Sequence, residues 1–271
     1  MKIECRAVSF TYDEGGTSVP AVERVSFAVE AGMATALLGP SGSGKSTLLQ
    51  LARGLFEPAA GIVLLDDSEP GAAGYGERQR EVGLVFQTPE AQLFATSAAE
   101  DVAFGPRQLG WDAEEVERAV GAALDLVGLP VEQFGARHPY SLSGGEQRRL
   151  AIAGVLAMRP RALLLDEPFV SLDPASRREL GAILMRLSDE GLTIMLATHD
   201  VDQAWSLCTQ RVILAAGHVV DTGDWRFGAG GEQVLNDNRL RVPVLADLWR
   251  RLGRAGGAPR TAAEAAAELV P

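Results

Sequence analysis

The nine residues Gly39, Pro40, Ser41, Gly42, Ser43, Gly44, Lys45, Ser46 and Thr47 constrain this chain more than any others. They follow the apolar run Ala34–Leu38 and open a helix-forming stretch that reaches about Gly54. Strand, glycine-rich loop and helix in that order turn backbone N–H groups inward at the positive end of a helix, which makes a cradle for phosphate. In such a cradle Lys45 reaches the β- and γ-oxygens of a nucleotide, and Ser46 offers its hydroxyl to Mg²⁺. Lysine is otherwise scarce: of 25 basic residues only Lys2 and Lys45 are lysine, so the placement of Lys45 is informative.

Around this loop the chain reads as α/β. Polar and apolar residues alternate from Lys2 to Val8 and again through Val25, Phe27 and Val29, which predicts half-exposed strands at an antiparallel edge. Short apolar runs at Ile62–Leu65, Val82–Phe86, Leu163–Asp166, Ile194–Thr198 and Arg211–Ala215 alternate with helical stretches, which predicts a parallel sheet with helices on its faces. Residues 89–158 break that rhythm: Asp112 reads as an N-cap before Ala113–Val127, and Gly144–Met158 is an uninterrupted helix former. They read as a helical subdomain inserted into a core spanning 1–225. Asp173-Pro174 signals the start of a helix that runs to about Glu190. Residues 226–271 read as a C-terminal extension: a Gly-rich turn after Phe227, a Leu-rich stretch Val234–Leu252, a linker Gly253–Pro259 and a short helix opened by a Thr261/Glu264 capping box.

Two further segments carry chemistry. In Ala162-Leu163-Leu164-Leu165-Asp166-Glu167-Pro168 a carboxylate ends a buried strand, where a bound Mg²⁺ would compensate its desolvation. Glu167 then sits where a base could polarise an attacking water. Leu142-Ser143-Gly144-Gly145-Glu146-Gln147 opens a helix with a second anion-binding arrangement, which one nucleotide site does not need. Arg148-Arg149 beyond it read as a solvated or salt-bridged face.

With these residues in view the sequence resembles the ABC ATPases. Gly39–Thr47 matches Walker A, Leu142–Gln147 the signature loop, and Leu163–Glu167 Walker B. Ser171-Leu172-Asp173 matches the D-loop, His199 the switch histidine, Gln87 the Q-loop and Tyr12 the aromatic that stacks on adenine. The resemblance implies a P-loop NTPase (RecA-like) core that binds ATP and Mg²⁺. It implies that two subunits, identical or closely related, meet head to tail, each P-loop closing on the other's Ser143, Gly144 and Gly145. It assigns His199 to the γ-phosphate and Asp173 to coupling between the sites. Gln87 joins Ser46 and Asp166 around Mg²⁺ and links the attacking water to the helical subdomain, which contacts a transmembrane partner. Glu146 stands where many members have Gln, as importers often do.

The run Val82–Ala95, the segment Glu100–Pro106, Ala151–Met158 with Gly154 where most relatives have arginine, and Leu240-Arg241-Val242-Pro243 resemble the ATPases of energy-coupling factor (ECF) importers of vitamins or cobalt and nickel. That resemblance implies a transmembrane coupling protein and a substrate-binding membrane protein as partners, and an extension that helps hold the dimer. An ATPase of an importer served by a binding protein is the alternative.

A net charge of −11 argues against nucleic acid as the main partner, because phosphate contacts demand a basic surface. The region 89–158 is too short for the coiled-coil or zinc insertion of chromosome-structuring relatives, and a single set of motifs argues against the twin-module translation factors. Cys5 and Cys208 lack metal-like spacing and read as buried, reduced thiols; His138 and His218 belong to no motif. Met1-Lys2-Ile3-Glu4 has no signal-peptide pattern, and no run of about 18 apolar residues is long enough to span a bilayer. The expected location is therefore peripheral, on the cytoplasmic face of the cell membrane and reached through partners.

Overall fold

A computed structural model describes residues 1–88, 92–225, 231–254 and 257–269. Pro89, where the helical region was expected to start, the Gly-rich turn after Phe227, and Ala255-Gly256 of the linker lie outside the described residues.

The chain begins with β1 (Ile3–Glu14), β2 (Thr17–Val29), β3 (Ala34–Leu38), α1 (Lys45–Arg53), β4 (Ala60–Leu65), α2 (Tyr75–Arg80) and β5 (Val82–Val85). Among the described residues four α-helices follow, α3 (Ala98–Gln108), α4 (Ala113–Leu126), α5 (Val131–Phe134) and α6 (Gly144–Leu156), with a short 3-10 turn at Pro139–Ser141 before the last. Alternation resumes with β6 (Ala162–Asp166), α7 (Pro174–Asp189), β7 (Thr193–Thr198), α8 (Val201–Leu207), β8 (Gln210–Ala215) and β9 (His218–Asp224). The last described elements are α9 (Gly231–Asp237), α10 (Val244–Arg251) and α11 (Ala262–Leu269).

Six strands form the central sheet in the order β5-β6-β7-β3-β8-β9, parallel except for the β8–β9 hairpin. The other three form an antiparallel sheet in the order β2-β1-β4. Ile62–Leu65 is thus a strand, but not one of the parallel set: Val63 pairs with Cys5 and Leu65 with Ile3. Only its last three residues are buried, and so short an apolar run carries no signal of strand direction. β9 was not foreseen because its residues alternate between half-buried and exposed and lack an apolar run.

Burial on both faces explains the continuous apolar strands. Along β6, Leu163 and Leu165 join a core built with α3, α4, α6, α7 and α8, whereas Ala162 and Leu164 join a second core built with α1 and the antiparallel sheet. Successive side chains point to opposite faces, so four consecutive residues serve two cores.

Local chemistry sets the helix ends. Asp112 caps α4 by accepting from Glu115 N (2.8 Å). α6 stops at Leu156, two residues before the expected end: Arg159 is left-handed (φ 52°) and precedes Pro160, which disfavours helical backbone before it. The expected Leu-rich stretch is split, with α9 and α10 separated by residues 238–243 and Pro243 at the N-cap of α10. Thr261 Oγ1 accepts from Glu264 N (3.2 Å), but the Glu264 carboxylate returns to Arg260 N (2.9 Å) rather than to Thr261 N, so the capping box is displaced by one residue. Among the described residues no helix is long and apolar enough to cross a membrane.

Candidate active site

β3, β6 and β7 end together. Leu38 pairs with Thr198 and Asp166 with Ala197, so the residues that follow these strands meet at one edge of the sheet. β3 lies between β7 and β8, at a reversal of strand order, where open α/β sheets bind ligands.

The Gly39–Thr47 loop fills this edge. Gly44, the N-cap of α1, has φ 101°, and a Cβ there would meet Val22 Cγ1 at 2.6 Å and the Ala21 carbonyl at 2.7 Å. At Gly39 a Cβ would meet the Leu214 carbonyl at 2.3 Å and Ser43 Oγ at 2.5 Å. Neither position accepts a side chain, and α1 starts without a side-chain cap on its first N–H groups. Ser41 and Gly42 form the turn between them, with Ser43 N donating to Pro40 O (3.2 Å). Lys45 is buried and its Nζ donates to Gly39 O (2.8 Å) and Pro40 O (3.2 Å). Burial pulls the Lys45 ammonium below its ordinary range, while Glu167 and Asp166 oppose that fall.

Behind the lysine stand the acids. Lys45 Nζ lies 3.9 Å from Glu167 Oε1, and His199 Nδ1 lies 2.8 Å from the same oxygen. An ionised carboxylate only accepts, so Nδ1 carries the proton in that contact and Nε2 is left for a second partner. Thr198 Oγ1 donates to Glu167 Oε2 (3.0 Å) and accepts from Asp200 N (3.0 Å). Glu167 has a left-handed backbone (φ 46°), and its N–H is fixed to Ala197 O (2.8 Å). Asp166 is buried; burial pushes its carboxyl up, and the Ser46 hydroxyl against it pulls the other way. Asp166 Oδ1 and Ser43 Oγ are both buried without a hydrogen-bond partner among the described residues. The orphaned Asp166 oxygen, on a carboxyl that the Ser46 hydroxyl also meets, fits Mg²⁺, which takes one or two protein oxygens and keeps phosphate and water for the rest. No cluster of three His, Cys, Asp or Glu side chains offers a fuller metal cage among the described residues.

Ser143 stands apart. It N-caps α6 in a capping box: Glu146 N donates to Ser143 Oγ (3.3 Å), and Ser143 N donates to Glu146 Oε2 (2.7 Å). Glu146 therefore does for its own helix what a glutamine could do less strongly, because the acceptor is charged. Gly144 is exposed with open space at its Cβ position, whereas a Cβ on Gly145 would meet Ser176 Oγ at 2.4 Å. No hydrogen bond or ion pair among the described residues joins Ser143–Gly145 to the Gly39–Thr47 loop of the same chain. Asp173 caps α7, accepting from Ala175 N (2.8 Å), Ser176 N (3.1 Å) and Ser176 Oγ (2.7 Å).

Two predicted residues sit at the margins. Tyr12 on β1 is half-buried; its hydroxyl is 3.1 Å from Thr47 Oγ1 and donates to Gln50 Oε1 (3.4 Å), and its ring is edge-on to Phe10 and Phe56. Gln87 lies two residues beyond Val85, which pairs with Leu165, so it emerges next to the end of β6.

The sequence reading missed Arg148 and Arg177. Arg148 is buried, 4% exposed, and Nη1 donates to the Glu167 carbonyl (3.2 Å); Arg149 is half-buried and salt-bridged to Glu179. Of the solvated or salt-bridged face expected for the pair, the solvated reading fails at Arg148, which is buried. Sequence spacing does not single it out, because buried Gly145 and Ile152 lie three or four positions from both arginines along α6. Arg177 Nε donates to Leu172 O (3.1 Å) and Nη1 to Asp200 Oδ2 (3.4 Å), tying the segment before α7 to the residue after His199.

Comparison with known proteins gives the family. The family model for ABC transporters matches residues 22–170. Over 94% of its length the chain is 39% identical to the energy-coupling factor transporter ATP-binding protein EcfA of Methanothermobacter thermautotrophicus, covering 81% of that protein. It is also 39% identical to EcfA2 of Streptococcus agalactiae, again over 94% of this chain and covering 93% of that protein. Among solved structures, cbiO1 from Clostridium perfringens, part of the ABC transporter complex cbiONQ, superposes with a TM-score of 0.75 at 31% identity, covering 93% of this chain and 95% of that one. A dimeric ATP-binding cassette bound to ADP and Pi superposes with a TM-score of 0.73 at 28% identity, covering 83% of this chain and all of that one. The chain belongs to the ABC transporter family of transport-coupled ATPases, among the ATP-binding proteins of energy-coupling factor transporters.

Proposed function

We propose that this chain powers an ECF-type importer of a micronutrient, a transition metal ion such as cobalt or nickel or a vitamin, by ATP-driven closure of an ATPase dimer. The observation that carries the reading is the Glu167 carboxylate, gripped by Thr198 and His199 beside Lys45 and one residue from the orphaned oxygen of Asp166.

In this reading Gly39–Thr47 wraps the phosphates, Lys45 leaves its carbonyl partners for the β/γ oxygens, and Tyr12 stacks on adenine. Ser46, Asp166 and Gln87 would hold Mg²⁺, which when bound neutralises charge on the phosphate oxygens. Glu167 accepts the proton of the attacking water, and His199, its Nδ1 fixed on Glu167, meets the γ-phosphate. Ser143, Gly144 and Gly145 serve the site of the second subunit, a second copy or a close relative, with Asp173 coupling the two sites. That division explains why the capping box faces solvent rather than the chain's own phosphate loop.

The helical segment 89–158 is the proposed docking element for the transmembrane coupling protein. Its exposed Phe94 and Phe104 meet edge to face at 4.8 Å, beside Tyr140, whose hydroxyl donates to Leu93 O (2.9 Å). Residues 226–271 are the proposed dimer-supporting extension, and the assembly sits on the cytoplasmic face of the membrane with no role for nucleic acid.

Co-purification of the tagged chain from native membranes in mild detergent, with partners identified by mass spectrometry, tests this. Recovery of one coupling protein with a small, very hydrophobic substrate-binding membrane protein supports the importer subclass. Recovery of a pair of conventional permease subunits refutes it.

A further inference from the structure

We infer that Arg148 is a positioning residue that makes the setting of Glu167 depend on the start of α6. The inference rests on the proposed role of Glu167 as the base. Arg148 is the fifth residue of the helix that Ser143 caps, so only one turn of α6 separates its guanidinium from the Ser143-Gly144-Gly145 loop. The guanidinium is charged at any working pH, and its burial is costly unless acceptors surround it. One acceptor is the Glu167 carbonyl, which takes Arg148 Nη1 (3.2 Å) and Val170 N (3.2 Å).

Glu167 is consequently held from three directions. Its N–H is bound to β7 through Ala197 O, its carbonyl to α6 through Arg148, and its carboxylate to Thr198 and His199. Its φ of 46° is a conformation that a non-glycine residue keeps only when the surroundings dictate it. The β7 contact belongs to the rigid sheet. The Arg148 contact belongs to the helix whose first turn carries the loop offered to the second subunit. A shift of that first turn therefore rotates the peptide after Glu167 against a fixed peptide before it, and re-aims the carboxylate. Engagement of Ser143-Gly144-Gly145 by a second subunit's nucleotide is in this way felt at the base of the chain's own site, through a single guanidinium.

The test is a double-mutant cycle on the full chain in its membrane complex, with Arg148→Met, Glu167→Gln and the pair. Arg148→Met is expected to lower kcat by on the order of 10- to 100-fold, the scale of a small misplacement of a reacting group, with KM for ATP and nucleotide binding unchanged. Added to Glu167→Gln it should cost nothing further, because the two act through one carboxylate. Losses that multiply in the pair, or a loss confined to KM, overturn the inference. So does a normal kcat for Arg148→Met while Glu167→Gln is slow. Normal hydrolysis by Glu167→Gln instead removes the base assignment and the inference together. Should methionine at 148 prevent folding, Arg148→Lys carries the same cycle, since it keeps the charge and a donor; it is expected to fall between wild type and the loss predicted for methionine.

Discussion

His199 Nδ1 and Glu167 Oε1 are 2.8 Å apart, so the residue after β7 and the residue after β6 share one proton-bearing contact. The histidine is mostly exposed while the glutamate is buried, which leaves the imidazole as the solvent-side member of the pair. Replacing Glu167 by Gln keeps the shape and removes the base. Hydrolysis should fall by roughly 100- to 10,000-fold with ATP binding retained and a closed dimer trapped. Steady-state phosphate release together with size-exclusion chromatography in ATP checks both halves; normal turnover would sink the assignment.

Lys45 offers a different readout. Its ammonium spends its hydrogen bonds on Gly39 O and Pro40 O, within the loop it would leave for phosphate. Lys45→Ala is expected to weaken nucleotide affinity by at least about tenfold, the equivalent of some 1.4 kcal/mol, while the fold is kept. Calorimetric titration with a non-hydrolysable ATP analogue measures it, and unchanged affinity would refute the phosphate role.

Ser143→Arg places a bulky cation on an exposed helix start whose capping box lies on the surface. The monomer should remain folded while turnover stops. Mixed with Lys45→Ala subunits, it places both lesions in one composite site and leaves the other intact, so mixed dimers should regain turnover that neither variant shows alone. No recovery in such dimers would count against a site shared between chains.

Asp173 gives a prediction in pH. Its carboxyl is held below the usual carboxylate range by the Ser176 hydroxyl first, then by the Ser176 and Ala175 N–H groups. A depressed folded pKa means that the stabilisation is present above the unfolded value near 3.8 and disappears as pH falls through the folded one. Asp173→Ala should therefore lower the melting temperature at pH 7, and the gap to wild type should narrow below about pH 4. A gap independent of pH from 3 to 7 would show that the cap does not act through the ionised carboxylate.

Cys5 and Cys208 are buried free thiols, each pushed up to about 12 by desolvation. Thiolate is the reactive form, so neither should be alkylated in the native protein at pH 8, and both should react in denaturant. Mass spectrometry after iodoacetamide treatment decides this; rapid native labelling of either would contradict the packing.

Much of this was legible in the sequence, for reasons that differ by element. β6 and β7 announced themselves because strands buried on two faces need unbroken apolar runs, and Asp112 and Asp173-Pro174 because a cap is a local device. Partner choice was not local. Nothing in Ile62–Leu65 says that it pairs with β1 rather than with the parallel set, and the turn that divides α9 from α10 hides in a leucine-rich stretch. At the site, Lys45, Asp166, Glu167 and His199 could be placed together because their motifs stand in the order of the ABC ATPases, and each lies at or beyond the end of a strand of one sheet. Arg148 could not, because two adjacent arginines look alike in sequence and only the helical phase sends one inward and the other to Glu179.

The close fit of Gly145 against Ser176 has a consequence for which sequences this fold can accept. The two positions occupy what is nearly one side chain's volume, 31 residues apart, and the missing Cβ of one is the room taken by the hydroxyl of the other. They form a shared allowance: a methyl group gained at 145 would have to displace the Ser176 hydroxyl and crowd its Cβ at 3.0 Å. The starts of α6 and α7 are therefore not free to vary independently in sequence: what one position may carry is set by what the other already holds.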